Sequence, residues 1–140
     1  MTKSKLLLLT IALLFSTPAW ADADNVAGNS FYCEPPDSNG RAFVAIEFKN
    51  NYSILYWEDG TRKTQGYNVG PLSVSWYHPT EPNFEFSLDR KSLVLTMYEK
   101  PDYRSVIDWQ CKFMDINLAK NHLAEEQDKR DKKLREGNKF

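Results

Sequence analysis

Few residues of this 140-residue chain have the types and spacing that catalytic chemistry needs. Its histidines are His78 and His122, the second set among charged residues, so a Ser or Cys nucleophile has little choice of base. Nucleophilic catalysis requires a nucleophile, a base within hydrogen-bond reach and a group that orients the base, and no such set stands out. His78 has no His or Cys at ligand spacing, and the acidic residues do not follow a calcium-loop pattern. The six glycines sit singly, which gives no phosphate-cradling loop. Two carboxylates brought together in space, as in glycoside hydrolysis, would be the one catalytic device compatible with this composition. The expectation is a protein that is not an enzyme and uses no metal or cofactor.

Recognition chemistry is better represented. Aromatic residues make up 14% of the chain, including four tryptophans. Tyr and Trp combine a large apolar body with a polar handle, which is why they dominate binding surfaces. The segment Trp76-Tyr77-His78-Pro79-Thr80-Glu81-Pro82 holds two such rings and the His78 imidazole beside two prolines, which stiffen it and lower the entropy cost of binding. Trp76, Tyr77 and His78 are the candidate ligand-binding residues. Phe43, Tyr77 and Tyr98 fall opposite the inferred core sides of their strands, and in 52–58 the faces Ile54/Tyr56 and Leu55/Trp57 are equally apolar. Some aromatic surface is therefore expected to be exposed.

The N-terminus has the three parts of a secretory leader: Lys3 and Lys5, a mainly apolar run 6–15, and small residues Ala19 and Ala21 after Pro18. The run is about half the roughly 20 residues that span a membrane, so cleavage after Ala21 and no membrane span after processing are expected. Loss of Lys3 and Lys5 leaves 16 basic against 19 acidic residues, a net charge of −3. Without a cluster of Lys and Arg in the folded portion, nucleic acid is not an expected partner. A secreted or periplasmic location is oxidising, and Cys33 and Cys111 have one possible pairing. Closing so long a loop stabilises by about 4.5 kcal/mol in the chain-entropy model.

Between Ser30 and Met114, short β-branched and aromatic runs alternate with turn signals every 8 to 12 residues or so, the spacing of an all-β domain. Phe84, Phe86 and Leu88 alternate with Glu85, Ser87 and Asp89, and Ile107, Trp109, Cys111 and Phe113 share one face of the last strand. Asn50-Asn51 tolerates the positive φ of a tight hairpin turn, and Asp59-Gly60 marks the next one. About eight strands are expected, counting one over 65–69, in an up-and-down antiparallel meander. A disulfide needs Cα atoms only a few ångströms apart, so a bond from first strand to last closes the meander into a barrel, or a sandwich.

Residues 118–136 lack Gly, Pro, aromatic and β-branched residues and predict a charged helix, capped by Asp115 or Asn117 and stopped by Gly137. Four acid-to-base pairs stand at i,i+4: Glu125–Lys129, Glu126–Arg130, Asp128–Lys132 and Asp131–Arg135. Ile116, Ala119 and Leu123 offer an apolar stripe that fades into Gln127 and Arg130, so the far half is expected in solvent. The organisation read from the chain is thus a leader at 1–21, a β-barrel-like domain at 22–114 and a charged helical tail at 115–140.

Phe31-Tyr32-Cys33, the turn Leu88-Asp89-Arg90-Lys91-Ser92-Leu93 and Trp109-Gln110-Cys111 together resemble the small exported bacterial proteins built as a β meander with one early and one late cysteine. The resemblance covers roughly residues 31–113, implies fold and export, and carries no residue roles. The architecture is similar to that of periplasmic lysozyme inhibitors and lipocalins, without the inhibitors' loop pattern or the lipocalins' opening Gly-x-Trp. The functional expectation is an exported, non-catalytic binding module for a protein, peptide or glycan. A small carboxylate-dependent hydrolase and a structural envelope subunit are the alternatives.

Overall fold

The computed structural model describes residues 26–37 and 41–137; the leader read at 1–21 lies outside them. Among these residues nine strands precede one helix: β1 (Ser30–Glu34), β2 (Val44–Phe48), β3 (Tyr52–Trp57), β4 (Arg62–Gly66), β5 (Asn68–Val69), β6 (Ser73–Tyr77), β7 (Phe84–Asp89), β8 (Val94–Glu99), β9 (Arg104–Phe113) and α1 (Ile116–Gly137). They form one antiparallel sheet in the order β4-β3-β2-β1-β9-β8-β7-β6-β5, curled into a nearly closed barrel.

Two devices close it. The first is the pairing of β1 with β9, in which Cys33 and Cys111 are directly opposed, their Cα atoms 3.9 Å apart and their sulfurs bonded. The second is a strand that changes partners. The single strand expected over 65–69 is two: β4 pairs with β3, Tyr67 interrupts, and β5 pairs with β6, so the chain crosses the seam between the sheet's two ends. Tyr67 pins this corner. Its ring meets Phe48 edge-on at 5.2 Å, and its hydroxyl donates to the carbonyls of Lys49 at 2.6 Å and Asn50 at 3.3 Å. Burial raises the pKa of that hydroxyl, which keeps it a donor.

The β2–β3 hairpin forms where expected, with the Lys49 amide donating to the Tyr52 carbonyl at 2.8 Å. It does not use the positive φ for which Asn50-Asn51 was read. Among the described residues, the non-glycine ones with positive φ are Leu93 (58°) and Tyr103 (51°). Leu93 ends the β7–β8 turn, which Asp89 organises: its Oδ1 accepts the Ser92 amide at 2.7 Å and the Lys91 amide at 2.9 Å, and the Ser92 amide in particular holds this carboxyl below its usual range.

The barrel interior is built from the inward-facing residues of the strands, among them Phe31, Ile46, Phe48, Trp76, Phe86, Leu88, Leu95 and Trp109, with Val26 from the segment before β1 packed among them. The Trp109 indole donates to the Ala42 carbonyl at 2.9 Å, so its polar edge is satisfied. A second apolar layer lies outside. Tyr32, Ala45, Ile54 and Tyr56 on the outer face of β1–β3 are covered by Ala119 and Leu123 of α1, with Phe43 and Ile116 at the margin. This explains why β3 reads as equally apolar on both sides: it is buried on both. Phe43 is likewise not an open surface ring but stacks on Tyr32 at 5.7 Å. Burial, reinforced by Glu126, raises the Tyr32 hydroxyl well above the ordinary tyrosine range, so this ring stays neutral beneath the helix.

Asp115 is the N-cap of α1: its Oδ1 accepts the amides of Asn117 at 3.0 Å and Leu118 at 3.3 Å. The stripe of Ile116, Ala119 and Leu123 does not end there but continues in polar form. Arg130 reaches back to Glu58, whose side chain is only 4% exposed, bonding it through both Nε and Nη2 and also bonding the Arg41 carbonyl. The other Glu58 bond comes from the Phe43 amide at 2.7 Å. Arg130 is thereby withdrawn from the expected pair with Glu126, which meets Lys129 instead at 3.0 Å. The helix is held to the barrel one turn and more beyond the point where its apolar stripe stops.

Removing one partner of a buried pair strands the other charge, which costs roughly 3–5 kcal/mol when both are fully buried. With Arg130 at 29% exposure, Arg130→Met is expected to cost about 2 kcal/mol and lower the melting temperature by roughly 10 °C. Adding Glu58→Gln to it should recover part of the loss, as measured by a thermal-melt double-mutant cycle.

Candidate functional site

β6 sets Trp76 and Tyr77 on opposite faces, because side chains alternate across a strand, and His78 opens the loop after it. Trp76 points inward and is 2% exposed, stacked on Phe86 at 5.7 Å and edge-on to Phe48 at 5.7 Å. It belongs to the barrel core. Tyr77 points outward and is 47% exposed. His78 shapes the loop that follows: its ring lies over Phe86 at 5.8 Å, and its Nδ1 accepts the amides of Glu81 at 3.0 Å and Thr80 at 3.3 Å. Acceptance at Nδ1 leaves the proton of the neutral ring on Nε2. The structure thus offers Tyr77 as the accessible ring of the three, with His78 holding the loop beside it.

Tyr77 does not stand alone. Strand register sets it opposite Glu85, and Glu85 opposite Tyr98, so the three side chains form one row on the outer face of β6, β7 and β8. The Lys100 ammonium lies 3.9 Å from the centre of the Tyr77 ring and 3.8 Å from a Glu85 carboxylate oxygen. A cation so placed over an aromatic face is attracted by the ring quadrupole. Lys100 is positioned by its own amide, which donates to the Asn83 carbonyl at 2.7 Å and ties the β8–β9 turn to the β6–β7 loop. Tyr103, 58% exposed, is in that same turn.

Beside this row runs a second made of short side chains. Ser75, Ser87, Thr96 and Asp108 are successive register partners across β6, β7, β8 and β9. Thr96 donates its hydroxyl to the Asp108 carboxylate at 2.6 Å. At about 4.8 Å between strands, the four positions span roughly 14 Å of floor alongside the tyrosine ridge. The helix does not reach this half of the sheet: α1 packs on β1, β2 and β3. The outer surface of the barrel is therefore divided into a covered apolar half and an uncovered half of tyrosines, hydroxyls and paired charges.

A concave feature lies elsewhere on the barrel, where the β2–β3 turn meets the start of α1. It has a volume of about 610 Å³ and is lined by Glu47, Lys49, Asn50, Asn51, Tyr52 and Asp115 among others. The two asparagines, which the sequence marks as turn residues, stand beside Tyr52, an aromatic at the start of β3. Among the described residues no group of three or more His, Cys, Asp and Glu is placed to hold a metal ion. The disulfide, and the lack among the described residues of a helix long and apolar enough to cross a membrane, are compatible with an extracellular or periplasmic protein. No protein-family model, curated protein or solved structure matches the chain.

The contrast between neighbours on β6 is directly measurable. Trp76→Ala is expected to destabilise by about 3–5 kcal/mol, as for other large core aromatics. Tyr77→Ala should stay within about 1 kcal/mol of the parent. Urea titrations followed by circular dichroism measure both, and similar losses at the two positions would contradict the inward and outward assignment.

Proposed function

We propose that this chain is an exported, non-catalytic binding module that recognises a protein, peptide or glycan in the periplasm or outside the cell. The observation that carries the reading is the outer face of β6–β8 that the helix leaves uncovered, where Tyr77 and Tyr98 form a ridge beside Ser75 and Ser87. Rigid aromatic rings give contact area at little entropic cost, and hydroxyls on a sheet need no reorganisation to accept or donate hydrogen bonds. The leader at 1–21 and the Cys33–Cys111 bond support export to an oxidising compartment.

The test is retention of ligand by the mature protein and by a Tyr77→Ala/Tyr98→Ala variant, using the native periplasmic or extracellular fraction together with purified peptidoglycan fragments. The double variant is expected to melt as the parent does and to bind at least about tenfold more weakly. Equal retention by both would overturn the assignment of this face. Turnover of a peptidoglycan, glycan or ester substrate that vanishes when one carboxylate is replaced would overturn the non-catalytic reading.

A further inference from the structure

We infer that the groove between the β2–β3 turn and the start of α1 is a site for a neutral saccharide, separate from the face of Tyr77. Its volume of about 610 Å³ lies within the range of small-ligand clefts, about 300–1,000 Å³.

The charges that line it are already compensated. Glu47 is ion-paired with Lys49 two residues further along the end of β2, and its other oxygen accepts the Tyr56 hydroxyl at 3.5 Å. Asp115 is neutralised in the same sense by the helix N-terminus, whose Asn117 and Leu118 amides it accepts. An ionic ligand would have to break one of these arrangements. What the carboxylates retain is acceptor capacity, so the complementary ligand is rich in donors and carries no net charge. The side-chain amides of Asn50 and Asn51 supply both donors and acceptors at the rim. Tyr52, 41% exposed, adds an apolar platform. A donor-rich, uncharged molecule with one apolar face is a sugar ring.

The groove is also preformed. The hairpin tip is closed by the Lys49 amide on the Tyr52 carbonyl at 2.8 Å, and the Tyr67 hydroxyl holds the carbonyls of Lys49 and Asn50 from below. On the neighbouring N-terminal segment, the Gly28 amide donates to the Phe48 carbonyl at 2.8 Å. Little ordering is left for a ligand to impose.

The experiment is a titration of isotope-labelled mature protein, followed by amide chemical shifts, with three neutral tetrasaccharides and one anionic one: β-1,4-linked N-acetylglucosamine, α-1,4-linked glucose, β-1,3-linked glucose and α-1,4-linked galacturonate. At least one neutral tetrasaccharide should shift the amides of Asn50, Asn51 and Tyr52 saturably at millimolar concentration or below. Tyr52→Ala should weaken that binding by about tenfold or more, with an unchanged melting temperature. Tyr77→Ala should leave it unaltered, so failure of the face and failure of the groove are read separately. The inference is overturned if no neutral tetrasaccharide moves these amides, if galacturonate binds more tightly than all three, or if Tyr52→Ala binds as the parent does.

Discussion

The pairing of β1 with β9 is the contact on which the rest of the molecule depends. Every other strand pair joins strands consecutive in the chain, whereas this one joins the first strand to the last, through residues 78 apart in sequence at the disulfide. Non-local pairings must recover the entropy of closing a long loop before they stabilise anything. The Cys33–Cys111 bond removes that cost from the folding balance by restricting the unfolded chain. Once β1 lies beside β9, the two hairpin systems β2–β4 and β5–β8 become the two flanks of one sheet. Its ends then meet where the chain itself crosses from β4 to β5 at Tyr67.

The same pairing decides where the helix can go. The chain leaves β9 at Phe113, next to β1, so α1 starts over β1 and runs onto β2 and β3. Tyr32, Ala45, Ile54 and Tyr56 meet it there, and Glu58 at the end of β3 meets Arg130. A single helix covers one half of a small barrel. The half it leaves open carries polar and tyrosine side chains, which tolerate water.

Much of the architecture was legible in the residues because a strand buried on one face announces itself by alternation. Phe86 and Leu88, or Trp109 and Cys111, could be assigned inward without a structure, and they are the core. The cysteines supplied the one long-range constraint. What was hidden depends on partners distant in sequence. β3 looked like a strand with exposed aromatics because its second apolar face meets a helix more than 60 residues later. Arg130 looks like one end of an i,i+4 pair, but the Glu58 carboxylate, at 4% exposure, offers it a stronger field than Glu126 does at 23%. The division of 65–69 into two strands was invisible because Tyr67, the residue that makes the corner, fits either a strand or a turn. At the candidate site, alternation already distinguished Trp76 from Tyr77; grouping them by aromatic character alone obscured it.

The central claim is that the disulfide-linked β1–β9 pair holds the whole barrel closed rather than only its own two strands. Amide hydrogen exchange of the oxidised and the reduced protein, measured residue by residue under the same conditions, tests it most directly. The account predicts that β1 and β9 are among the slowest-exchanging segments when oxidised. On reduction, the exchange free energy should fall by about 2–4 kcal/mol in all the strands together, because opening becomes a single cooperative event. If β6, β7 and β8 keep their protection after reduction while only β1 and β9 lose theirs, the barrel closes without the crosslink and the account is wrong.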